Sequence, residues 1–247
     1  MLLHNSKQKF LDWCKDIFEI AHATHNSILS MEGIRGFAVF LVFLAHYVSL
    51  IQPWLDISSL TANIAYSIHS IGNIGVDLFF VLSGYLIYGM LLKRKIYFPR
   101  YLLRRIQRIY PTFIVVFIAY LCLSLIFPSQ SKMPSEWNEA LILIIQNVLL
   151  LPGIFDIEAI VTVAWSLSYE FFYYLTMPIL IAVLFLRTWN PLLRISFFCI
   201  LSALFFIYFV NANGPIRLLM FVPGIVLYEV VSNKLISKMP PIGLPAL

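Results

Sequence analysis

The chain has 247 residues, of which 61% are hydrophobic and 12% charged, and its mean hydropathy is +0.88. Soluble domains average about 45–50% apolar and about 25% charged residues, so a water-soluble globule of this size cannot cover so much apolar surface. A soluble enzyme, a disordered chain and a fibrous chain are excluded, which leaves an all-α, polytopic transmembrane helical bundle with room for about six to seven spans of about 20 residues.

Seventeen bases against twelve acids give a net charge of +5. In so apolar a chain this excess reads as a topology signal rather than as a nucleic-acid surface. Cys14, Cys122 and Cys199 are odd in number and far apart, without metal or disulfide spacing. The beginning of the chain lacks the short apolar core and small-residue cleavage site of a signal peptide, so the first span is expected to direct insertion itself.

Residues 1–29 form a polar segment of mixed charge. Within it Phe10, Trp13, Cys14, Ile17, Phe18 and Ala21 fall on one helical stripe. The stripe suits a helix on the membrane surface or one packed on the protein's own loops. The first span is expected over 34–53, ending near Pro53, followed by a loop at 54–72 without Lys or Arg. A second span is expected over 73–92. Lys93, Arg94, Lys95, Arg100, Arg104, Arg105 and Arg108 then place seven bases within 16 residues. The third span follows over 109–127, with Pro111 in its first turn. Further apolar blocks lie at 139–152, 161–186, 195–210 and 216–232, and 233–247 is a short tail. The region 30–232 thus reads as one transmembrane domain. The positive-inside rule puts loop 93–108 and the N-terminus in the cytoplasm. Block 139–152 is short for a crossing, and a re-entrant reading of it keeps Arg187 and Arg194 on the cytoplasmic side.

An ionisable group within hydrocarbon is costly, so each one is a functional candidate. Arg35 and His46 lie 11 residues apart, which at about 100° per residue returns them to nearly one face, about 16 Å apart along the axis. The guanidinium suits an anion at the cytoplasmic mouth, and the imidazole suits proton transfer at depth. A snorkelling anchor for Arg35 and a structural histidine for His46 are the competing readings. Asp77 is placed to pair with Arg35 or to orient His46, or else sits solvated at the interface. Glu170, at the start of a long apolar run, is placed to position an acceptor hydroxyl. Arg104, Arg105 and Arg108 share a helical face and make an anion site, although topology alone would explain them. Ser83 and Gly84 permit close helix approach. His22 and His25 lack a third ligand, so no metal site is expected, and His4 and His69 read as loop residues.

These residues also form a pattern. Ser30-Met31-Glu32-Gly33-Ile34-Arg35-Gly36-Phe37-Ala38 followed by His46 resembles the opening motif of acyltransferase family 3, membrane proteins that O-acylate polysaccharides and other surface or secondary-metabolite acceptors. Phe79, Phe80, Ser83 and Gly84 match its Phe-Phe-x-x-Ser-Gly motif. Arg105, Arg108 and Pro111 match its Arg-x-x-Arg motif. Trp165-Ser166-Leu167 with Glu170 resembles its Trp-Ser-Leu-x-x-Glu element, and the segment from Arg217 to Gly224 is similar to a later one. Met31-Glu32 stands where the family carries Leu-Asp, so Glu32 takes the place of that aspartate. The family usually has about ten spans, so the resemblance also implies that this chain lacks the last helices.

The resemblance implies an acyl-CoA donor, acetyl-CoA in the simplest case, arriving from the cytoplasm with Arg35, Arg105 and Arg108 on its phosphates. It implies no bound cofactor, a hydroxyl acceptor on a carbohydrate or similar molecule, and a multi-pass protein of the cell (inner) membrane with its N-terminus cytoplasmic. The imidazole of His46 acts either as a base on the acceptor or as a carrier of the acyl group, with Asp77 or Glu170 orienting it. Two other readings stand beside this one. One is a proton-coupled transporter using the buried His, Asp and Glu; the other is an inactive, shortened family member.

Overall fold

A computed structural model describes residues 29–54, 60–210 and 214–235. The stripe at 10–21, Cys14, His4, His22 and His25 lie outside the described residues. The described chain forms seven α-helices: α1 Leu29–Ile51, α2 Leu60–Lys93, α3 Phe98–Ile126, α4 Trp137–Val148, α5 Trp165–Val183, α6 Pro191–Phe209 and α7 Phe221–Ser232. Short 3-10 turns follow α1 (Gln52–Trp54) and precede α5 (Thr162–Ala164) and α7 (Ile216–Met220). Among the described residues five helical segments are long and apolar enough to cross a membrane, built on α1, α2, α3, α5 and α6. The chain is therefore an all-α membrane bundle, as its composition requires.

Local chemistry explains most of the boundaries. α1 runs through a largely apolar stretch and ends just before Pro53, which cannot donate to the helix ladder. α2 ends at Lys93, a cation in the last turn that favours the negative end of the helix dipole. α3 and α6 each have a proline in the first turn, where the missing N–H costs nothing. α6 is also capped by Asn190, whose Oδ1 accepts from the Leu193 amide at 2.7 Å.

Three boundaries differ from expectation. α2 begins at Leu60 rather than 73 and has 34 residues. Residues 60–72 lack charge, yet they hold no breaker and pack on α1. At Gly72 a Cβ would meet the Leu41 carbonyl and the Ala45 Cβ, both at 2.7 Å, so the two helices touch through this glycine. α3 begins at Phe98, which puts the arginine cluster inside the helix and Pro111 in its interior rather than its first turn. α7, with 12 residues, is shorter than a full span and is preceded directly by the 3-10 turn at Ile216–Met220.

α4 also has 12 residues, about 18 Å of helix at about 1.5 Å per residue, short of a ~30 Å hydrocarbon core. It starts near the end of α3, and Val148 accepts from Tyr110 Oη at 3.0 Å, well back along α3. The chain then returns, because Lys132, just past α3, donates to the Ala159 carbonyl at 3.0 Å and pairs with Glu158 at 2.8 Å. Residues 137–161 are thus a hairpin that enters and leaves on one side, as the re-entrant reading anticipates. Asn147, buried at its bend, bridges the two arms: Nδ2 donates to the Leu143 and Glu158 carbonyls, and Oδ1 accepts from the Ile160 amide.

The opposite end of the bundle is tied by arginines. Arg187 donates to the carbonyls of Leu91 and Arg94, so the turn after α5 and the basic loop after α2 share one end. Arg194 and Glu229 form a buried, bidentate ion pair at 2.6 and 2.9 Å between α6 and α7. Tyr88 of α2 donates to the same carboxylate. α2 and α7 run side by side in the same direction with backbones in contact: Gly84 abuts the Phe221 carbonyl and Gly224 abuts the Val81 carbonyl. On the outside, Phe37, Phe40 and Phe43 of α1 and Ile200, Leu204 and Ile207 of α6 are exposed. Such a surface is at rest only where hydrocarbon replaces water.

Candidate active site

α1, α2, α3 and the first turns of α5 surround a cavity of about 750 Å³. Its walls carry His46 and Ser49 from α1, His69 and Asn73 from α2, Arg108 and Thr112 from α3, and Trp165, Ser166 and Glu170 from α5. His46, Arg108 and Glu170, which the sequence singles out separately, meet here. They come from three helices because each helix turns its costly polar residues away from lipid and toward the same space. His69 belongs to this wall on α2 and is not a loop residue. The early start of α2 carries it inward, where its Nδ1 lies 3.4 Å from Asn73 Nδ2.

Glu170 is held by two neighbours. Ser83 Oγ donates to its Oε1 at 3.1 Å, and Tyr174 Oη, one turn further along α5, donates to the same oxygen. Ser83 therefore does more than allow close helix packing, since it joins the Phe-Phe-x-x-Ser-Gly segment to the Trp-Ser-Leu-x-x-Glu segment. Arg105 lies over the rings of Tyr174 and Tyr101, at 5.2 and 5.3 Å from their centroids. Its Nη2 also approaches Met90 Sδ at 3.7 Å. Arg105 Nε is buried and has no hydrogen-bond partner among the described residues. Tyr174 is a residue that sequence reasoning misses, because a tyrosine within an apolar run carries no sign of cost.

Arg35 does not line the cavity itself. It is half-buried, with Glu170, Tyr174, Arg108 and Glu32 as its electrostatic neighbours. Its charge thus acts on the Arg108 and Glu170 part of the cavity wall, while His46 lies about three turns further along α1, about 16 Å by helical rise. Glu32 is exposed in the first turn of α1.

Asp77 departs from both expected roles. It pairs with neither Arg35 nor His46, and its charged neighbour is Arg217, which lies over the ring of Trp165 at 5.1 Å. Asp77 Oδ1 is buried without a hydrogen-bond partner among the described residues. The helical turn explains the departure: Val76 faces the cavity, and one step of about 100° carries Asp77 away from it. Phe80 is buried in an aromatic cluster with Phe221, Tyr169 and Trp165, and Phe79 is half-buried beside it. Phe80 is a packing residue that sets α2 against α5 and α7. Among the described residues no cluster of His, Cys, Asp and Glu has the geometry to hold a metal ion.

A family model described as an acyltransferase domain (Acyl_transf_3) matches residues 28–246. The chain belongs to acyltransferase family 3. Within that family it is similar to the acyltransferase MdmB of Streptomyces mycarofaciens, with 33% identity over 154 residues, which cover 61% of this chain and 38% of the relative. The chain thus spans well under two thirds of the curated relative it matches. No solved structure matches it. The family assignment agrees with the residues gathered here, since elements from four of its motifs converge on one cavity and its rim.

Proposed function

We propose that the protein is an integral membrane O-acyltransferase that moves an acyl group, acetyl in the simplest case, from acyl-CoA to a hydroxyl of a carbohydrate or similar acceptor. The observation that carries this reading is the shared cavity, where an imidazole, a guanidinium and a carboxylate line one wall system. In the direct route His46 accepts the proton of the acceptor hydroxyl, the oxygen attacks the thioester carbonyl, and the C–S bond breaks to release CoA thiolate, which takes up a proton. In the relay route the imidazole nitrogen attacks first, CoA thiolate leaves, and the acceptor oxygen then displaces His46 from the acyl carbon. Glu170, fixed through one oxygen, orients the hydroxyl. Arg35, Arg105 and Arg108 meet the anionic part of the donor. The basic end of the bundle, and the N-terminus with it, faces the cytoplasm of a cell whose inner membrane holds the protein.

The test is acyl transfer by purified protein from labelled acetyl-CoA to hydroxyl acceptors. Transfer by the wild type and at least about a hundredfold loss in His46→Ala is the expected result for a general base or nucleophile. Proton-coupled uptake of solute into liposomes, with no acyl transfer from any donor, would overturn the reading. Acyl-histidine trapped by rapid quench without acceptor selects the relay, and its absence selects direct transfer.

A further inference from the structure

A second opening lies at the basic end of the bundle, outside the cavity just described. It is a groove of about 300 Å³ between the end of α2 and α7, lined by Tyr85, Met90, Lys93, Arg94 and Tyr228. Its chemistry is specific. Two aromatic rings stand T-shaped at 5.6 Å, Lys93 Nζ rests 5.6 Å over the Tyr228 ring, and among the described residues no acidic side chain lines the groove. Rings beside cations suit a ligand that combines a flat heterocycle with phosphate.

The groove also touches the machinery of the cavity. Met90 lines it and contacts Arg105, and Arg105 in turn stacks on Tyr174, the residue that holds Glu170. Among the described residues Arg105 Nε, beside Tyr101, is buried without a hydrogen-bond partner of its own between the groove and the cavity. From Lys93 back to Ser83, the level of Glu170, is ten residues of α2, about 15 Å by helical rise. A donor lying along this line would place a phosphorylated ring in the groove, a phosphate at Arg105 and a flexible arm running to Glu170.

We infer that this groove binds the nucleotide end of the acyl-CoA donor, with Lys93 and Arg94 on phosphate, Tyr85 and Tyr228 on the base, and Arg105 Nε donating to the diphosphate. The inference rests on the acyltransferase reading and assigns it a recognition site. Headgroups of anionic lipids share the phosphate chemistry but offer no aromatic ring and no pantetheine arm.

The experiment compares two donors, acetyl-CoA and acetyl-pantetheine, which lacks the nucleotide. Lys93→Gln/Arg94→Gln removes two charges that are exposed in the fold. In phosphatidylcholine nanodiscs the KM for acetyl-CoA is expected to rise about tenfold or more, for two lost charged contacts. Transfer from acetyl-pantetheine should change less than about twofold. Equal effects on both donors, or none on either, overturn the inference. An effect that appears only when phosphatidylglycerol is added marks a lipid site and overturns it as well. If the wild type transfers acyl from neither donor, the acyltransferase reading fails. The groove is then judged by binding of adenosine 3′,5′-diphosphate to the wild type and the variant by calorimetry. Binding that the variant loses upholds it, and no binding by the wild type overturns it.

Discussion

Ser83 and Tyr174 both donate to Oε1 of Glu170, and no donor among the described residues reaches Oε2. The carboxylate is therefore pinned by one atom and free at the other, the geometry expected of a group that must meet a substrate hydroxyl. Tyr174→Phe keeps the ring under Arg105 and removes only the hydroxyl. A hydrogen bond to a charged group is worth about 1.5–3 kcal/mol, so kcat should fall about tenfold or more while KM for the donor stays within about twofold. Steady-state kinetics checks this, and an unchanged kcat would show that Glu170 needs no such support. His46, Arg108 and Glu170 were legible in the sequence because a titratable group amid apolar residues announces its cost. Asp77 announces the same cost, but its charged neighbour Arg217 lies far along the chain. Spacing on one helix cannot say which neighbour a side chain will meet.

At the scale of elements, α2, α6 and α7 are held by a cluster that the sequence hides. Arg194 and Glu229 lie 35 residues apart on different helices. Each alone reads as an end-of-helix charge, and only tertiary packing makes them a pair. The guanidinium also donates to the Leu186 and Trp189 carbonyls, and Asn233 donates to the carboxylate. With its remaining hydrogen-bonding capacity met in this way, a buried pair can persist, but removing one partner strands the other charge. Glu229→Gln should lower stability by about 3–5 kcal/mol, whereas Arg194→Met/Glu229→Leu should cost less than either single change. Thermal melting in detergent distinguishes the two, and a double variant as unstable as the sum of the singles would contradict the argument. Helix existence was plain from apolar run length, while helix starts were not. α2 gains its first turns by packing through Gly72 on α1, and no run-length argument can anticipate that contact.

Across the whole molecule, the arginine ties settle the path of the chain. Arg187 joins the turn after α5 to the basic loop after α2, and Lys132 joins the end of α3 to residues 158–162 on the other side. Cysteines placed at Lys95 and Thr188 of a cysteine-free variant should thus react with an impermeant maleimide from the same side of sealed vesicles. One placed at Lys132 should react only from the other. Labelling of positions 95 and 188 from opposite sides would mean that α4 crosses fully. The seven-base cluster marks one end of the bundle, but the short apolar block at 139–152 leaves two paths open until the Lys132 contacts close one of them.

The bend of that hairpin has a consequence for hydration. Residues 149–161 carry irregular backbone back from the depth of Tyr110, with Leu150 in a left-handed conformation at φ 55° and Gly153 at φ 89°. Non-helical peptide groups survive at such depth only when protein or water satisfies them. Asn147 serves the Glu158 carbonyl and the Ile160 amide, and turn bonds serve the amides of Leu151, Ile154, Phe155 and Ile157. The bend holds few helical bonds, so deuterium should enter the amides of Gly153, Asp156, Glu158 and Ala159 within seconds, while α2 and α5 on either side stay protected for hours. A polar acceptor arriving from that face would find a wet vestibule already cut into the membrane.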